Sequence, residues 1–126
     1  MKNEKLKRLT PKEEEAMKII WRAKKGFIKD FIRLHPDPKP IYTTFSSIIR
    51  GLEEKGYIGH KAYGKTHEYF PVVRKEEYRK MFMGEVVKDY FGSSYKKVVS
   101  YFVDESKISA EDLKSLLEII EKGGKP

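Results

Sequence analysis

The chain has 126 residues, 37% of them charged and 39% hydrophobic, with a formal net charge of +8 and no cysteine. That length holds one domain, or one small domain with a helical appendage, and the apolar share suffices for a core. The absence of cysteine excludes disulfides, thiolate metal sites and cysteine nucleophiles, and no apolar run approaches the roughly 18 residues of a spanning helix.

The opening "MKNEKLKRLTPKEEE" lacks the apolar centre of a signal peptide, so the expected location is the cytoplasm, with no membrane insertion. Charge is divided unevenly along the chain. From Met1 to Lys75 there are 18 Lys and Arg against 9 Asp and Glu, whereas Glu76 to Pro126 holds 9 against 10. The whole positive excess belongs to the N-terminal part, as it would if that part alone met a polyanion.

"LTPKEEEAMKIIWRAKKG" carries a strong helix start: Thr10 as N-cap, Pro11 at the first helical position and Glu13 completing a capping box. Met17, Ile20 and Trp21 form its buried stripe, and Lys24 and Lys25 are expected in the last turn before Gly26. Phe27, Ile28, Phe31 and Ile32 mark a short second helix that the prolines of "HPDPKP" end. The third helix, "IYTTFSSIIRGLEEKGYI", buries Phe45, Ile48, Ile49 and Leu52, with Gly56 as a left-handed C-cap.

After that helix, aromatic and β-branched residues flank "YGK", which predicts a hairpin turning at Gly64. Three further helical patterns follow: "KEEYRKMFMGEVVKDYF", "SSYKKVVSYFVDE" and "SAEDLKSLLEIIEK", the last capped by Ser109 with Asp112 three residues on. About fifty residues of amphipathic helix rarely bury enough surface alone, so this half needs a partner, and a second copy of itself is the simplest.

Three helices and then a basic hairpin is the order of a winged helix-turn-helix module, whose third helix enters the DNA major groove. Thr43, Ser46, Ser47 and Arg50 repeat at helical spacing opposite the apolar stripe, where a solvated helix would more usually carry Lys and Glu. Small hydroxyls permit close approach to bases and phosphates, and arginine can pair with guanine O6 and N7. At the hairpin tip, Lys61 and Lys65 suit contact with the sugar-phosphate backbone, although charges there also guard a sheet edge against aggregation. His35, His60 and His67 offer no metal-binding spacing, and no phosphate-cradling loop or catalytic motif occurs, so neither metal, cofactor nor enzymatic activity is expected.

"LTPKEEEAMKIIW", "YTTFSSIIRGLEEKGYI", "GKTHEYFPVV" and "YFGSSYKKVVSYFVDESKISAEDLKSLLEII" together resemble the BlaI/MecI/CopY family of bacterial repressors, from Leu9 to about Ile120. The resemblance implies a homodimer that binds a palindromic operator in double-stranded DNA and blocks transcription. It also implies release by a membrane sensor protease of the BlaR/MecR kind, which triggers cleavage at an Asn-Phe bond in the dimerisation region. The matching position is Tyr101-Phe102, which keeps the Phe and not the Asn. The cysteine motif by which the CopY branch binds metal is missing. Family members commonly carry a basic residue where this chain has Gly51, which leaves Arg50 as the candidate for that contact and places the expected difference in operator preference at Gly51.

The expected fold is therefore mainly α (α+β). Residues 1–75 form a winged helix-turn-helix with a two- to three-stranded wing, and residues 76–126 form a helical dimerisation region. The candidate DNA contacts are Tyr42 beside the backbone, Thr43, Thr44, Ser46, Ser47 and Arg50 in the groove, and Lys61 and Lys65 on the wing. The alternative function is a ligand-sensing winged-helix regulator whose aromatic C-terminal helices form an effector pocket.

Overall fold

Thr10 starts the first helix, α1 (Pro11–Ala23), through the reciprocal bonds of a capping box. The Glu13 amide donates to Thr10 Oγ1 at 3.2 Å, and the Thr10 amide donates back to Glu13 Oε1 at 3.0 Å. A computed structural model describes residues 6–123; residues 1–5, where the stretch without a signal-peptide core begins, and residues 124–126 lie outside the described residues. After α1 come α2 (Ile28–Leu34), α3 (Tyr42–Glu54), β1 (Ile58–Tyr63), β2 (Thr66–Pro71), α4 (Lys75–Phe91), α5 (Tyr95–Asp104) and α6 (Ala110–Glu121). This is the expected order of three helices, a hairpin and three more helices.

α1 stops earlier than its lysine run suggests. It ends at Ala23, and Lys24 takes the left-handed backbone (φ 75°) that glycine usually supplies. Gly26 is reserved for a different task. Its amide and carbonyl bond Tyr69 of β2 at 3.0 and 2.8 Å, and an added Cβ would lie 2.9 Å from the Phe31 ring. The wing is thus two antiparallel strands, with Gly26 as a one-residue third rung on the β2 edge. Gly64 (φ 62°) leads the two-residue turn between Tyr63 and Thr66, where a hairpin needs a positive φ.

Met17 and Ile20 of α1, Phe31 of α2, Phe45, Ile49 and Leu52 of α3, and Tyr57 are all less than 2% exposed and form the core. Burying side chains of this size stabilises by roughly 1.5–3 kcal/mol each. Trp21 closes the rim, its indole N–H donating to the Val73 carbonyl at 2.8 Å. The chain divides into two compact units, Met1–Phe82 and Met83–Pro126, because Tyr78, Met81 and Phe82 of α4 pack with the core. The second unit differs in kind. Among its described residues only Val87 is buried, and neither α5 nor α6 has a buried residue.

Glu13 also ties the start of α1 to the end of α3. Lys55 donates to Glu13 Oε1 at 2.6 Å, with both side chains largely out of water. Burial raises the Glu13 carboxyl, but bonds from Lys55 and Thr10 outweigh it and hold the pKa below its ordinary value. A depressed carboxylate stabilises the fold above its unfolded pKa, and that stabilisation is lost as pH falls through the folded value. Glu13→Gln is expected to cost about 2 kcal/mol at neutral pH by leaving Lys55 unpaired. Urea denaturation should show the gap between parent and variant closing towards about pH 3; a gap independent of pH would mean that the ion pair contributes nothing.

Candidate nucleic-acid interface

Successive α3 residues are turned by about 100°, and the core contacts of Phe45, Ile49 and Leu52 fix where every other side chain goes. Opposite the core stand Thr43, Ser47 and Arg50, all exposed. Arg50 donates from Nη2 to Ser47 Oγ at 3.2 Å, one turn back, which steadies the guanidinium on this outer face.

Ser46 does not share that face. It is only half-exposed, and its Oγ is buried without a hydrogen-bond partner. Tyr42, Ser46 and Glu53 form a flank turned to the wing, where Glu53 Oε2 meets His60 Nδ1 of β1 at 2.5 Å. The His60 and His67 rings stack at 4.0 Å beside Tyr69. Burial, then the Glu53 carboxylate, raises the pKa of the Tyr69 hydroxyl. Tyr42 opens onto a cleft of about 460 Å³ that it shares with Lys65, Thr66 and His67 of the wing and with Lys29 and Arg33 of α2.

The opposite flank faces α1. Thr44 is exposed there, and Gly51 lies against Glu13: an added Cβ would sit 3.2 Å from Glu13 Oε2. Packing therefore accounts for this glycine. It lies on the flank between the buried stripe and the outer face. Gly51→Ala should forgo most of the gain of about 1 kcal/mol that alanine brings to a helix interior. Gly84 of α4 has nothing within 4 Å of where a Cβ would go, so Gly84→Ala should realise that gain in thermal denaturation. Equal shifts for both variants would show that Glu13 yields freely.

On the wing, Lys65 follows Gly64 at the exposed tip and meets Tyr42 across the cleft. Lys61 is exposed but belongs elsewhere. Side chains alternate along a strand; since His60 points to α3, Lys61 takes the far face of the hairpin, its Nζ 5.3 Å above the Tyr63 ring. The structure thus unites Thr43, Ser47 and Arg50, joins Tyr42 with Lys65, and sets Ser46 and Lys61 apart. Lys29 and Arg33 were not anticipated as part of the site. Their signal was faint: two cations four residues apart on a seven-residue helix, pointing nowhere until the wing folds beside them.

A family model described as penicillinase repressor matches residues 9–122. The chain belongs to the penicillinase repressor family. It is 28% identical to the methicillin resistance regulatory protein MecI of Staphylococcus aureus (strain N315) over 117 residues, which cover 87% of this chain and 90% of that protein. With the penicillinase repressor of Bacillus licheniformis it shares 23% identity over 123 residues, 94% of this chain and 93% of that one. The solution structure of the DNA-binding domain of the repressor BlaI superposes with a TM-score of 0.52 at 24% identity, over 60% of this chain and 93% of that one. At that identity the superposition shows the fold alone, a winged helix over that part of the chain. Among the described residues, no helix of this family member is long and apolar enough to cross a membrane.

Proposed function

We propose that the chain is a transcriptional repressor that binds duplex operator DNA through α3 and the wing, as a homodimer joined by helices from residues 76–126. The observation that carries this reading is the exposed Thr43, Ser47 and Arg50 face of α3, opposite the core and beside a basic wing. Such a face allows the close approach that reading base edges requires, with arginine as the specific pair for guanine. Lys65, Lys29 and Arg33 around the cleft supply cations for phosphates, which position the protein without reading sequence. The names of the relatives, methicillin resistance regulatory protein and penicillinase repressor, agree with it.

The dimer rests on the second unit. Tyr95, Leu117 and Ile120 are 66%, 53% and 68% exposed, on helices that bury nothing within one chain. A twofold pairing would cover such surfaces and set two α3 helices at half-sites one or more duplex turns apart. Tyr101 and Phe102, half-exposed near the middle of α5, mark the bond whose cleavage a sensor protease of the BlaR/MecR kind would trigger. Selection of bound duplexes from a random pool is expected to return a palindrome with half-sites about 10 base pairs, or a multiple of that, apart. Recovery of random sequence would rule out specific recognition, and a single half-site would rule out the dimer.

A further inference from the structure

Ile41 stands at the head of α3 with 72% of its surface exposed, the most exposed large apolar side chain among the described residues of the first unit. It occupies the N-cap, where isoleucine is among the poorest choices because it offers no oxygen to the free amides. In the isolated protein this residue therefore serves neither the helix nor the core.

Its position is nonetheless fixed. The Ile41 carbonyl accepts from the Phe45 amide at 2.9 Å, and Pro40 restricts the backbone just before it. Lys39 Nζ donates to the carbonyls of Arg33 and His35 at 3.0 and 2.7 Å, which binds the turn to α2. Ile41 is thus held outward by an ordered turn. With Pro40, Thr44, Ser47 and Ile48, and with Lys12 and Glu15 of α1 opposite, it lines a groove of about 650 Å³ along the start of α3.

We infer that Ile41 is a specificity residue that recognises thymine by covering its 5-methyl group in the major groove. This rests on the repressor reading above, since it needs α3 in the groove. The N-terminal residues of a recognition helix are those that meet base edges. The one apolar group that a base pair presents in that groove is the thymine methyl, and side chains without polar atoms read it. Thr44, three residues on, lines the same groove, as does Ser47, whose hydroxyl accepts from Arg50 on the outer face.

The test uses the full chain and the duplex recovered by selection, with each thymine replaced in turn by deoxyuridine, which removes the methyl alone. The parent is expected to lose roughly three- to fivefold in affinity at one thymine of each half-site, the contribution of one buried methyl. Ile41→Ala should be indifferent to that replacement while keeping the parent's response at every other thymine. Ile41→Asn, which restores a good N-cap, guards against a frayed α3 and should show the same indifference with a raised melting temperature. A methyl response that is the same in the parent and both variants would overturn the inference and leave the repressor reading intact. So would a parent that binds the operator tightly and responds to no thymine methyl. A parent that prefers no duplex over random sequence would overturn the repressor reading itself, and the thymine contact with it.

Discussion

Replacing both Leu116 and Leu117 with aspartate is expected to convert a dimer into a monomer and to weaken operator binding at least about a hundredfold. Leu113, Leu116, Leu117 and Ile120 follow the i, i+3, i+4, i+7 pattern on α6, yet they are 38%, 43%, 53% and 68% exposed. On the dimer reading, a helix with that stripe and no buried residue takes its packing partner from a second copy. Covering a leucine is worth roughly 1.5–3 kcal/mol, and twofold symmetry doubles the loss when two leucines are removed from each protomer. The four carboxylates gathered near the axis would also oppose closure. The effect reaches DNA because linked half-site binders gain about 10²–10⁴ in avidity over one alone. Sedimentation should show the monomer, and titration should show a half-site affinity equal to the parent's beside a lost full-site advantage. A variant that still sediments as a dimer would move the interface off α6.

The division of the chain into a basic N-terminal part and an amphipathic helical part was legible because charge and periodicity are additive along the sequence. The helix starts were legible for the same local reason: Thr10 with Glu13, and Ser109 with Asp112, each place both halves of a capping box within four residues. What was not legible depends on residues far apart in the chain. Lys24 closes α1 in place of Gly26 because Gly26 is claimed by Tyr69 and Phe31, and neither constraint shows in the local pattern. That Glu13, 38 positions earlier, lies against Gly51 could not be read from the local pattern either. Ser46 and Ser47 look alike in sequence, but the one step of about 100° between them sends one to the wing and the other to the outer face. The composition change near residue 75 marks where basic charge ends, whereas packing on the core continues to Phe82.

Arg50→Ala and Lys65→Ala are expected to separate reading from holding. Arg50 is exposed on the outer face and braced by Ser47, so on the repressor reading the rest of its fork is available to a guanine. A bidentate arginine-guanine pair is worth about 1–3 kcal/mol of discrimination, so Arg50→Ala should lose roughly 5- to 150-fold for each half-site of the operator and little on random duplex. Arg50→Lys should likewise keep the random-duplex affinity without restoring the preference, because a point charge cannot span O6 and N7 as the planar fork does. Lys65 sits on the turn after Gly64, where it has the reach of a wing tip and no hydrogen-bonding fork. Its removal should weaken all duplexes alike and flatten the slope of log affinity against log salt by about 0.9 for each phosphate no longer neutralised, hence about twice that for a dimer. Neither change touches the core, and melting should stay within about 0.5 kcal/mol of the parent. If Arg50→Ala weakened random and operator duplexes equally, the outer face of α3 would be another stretch of basic surface, and sequence would be read elsewhere on the protein.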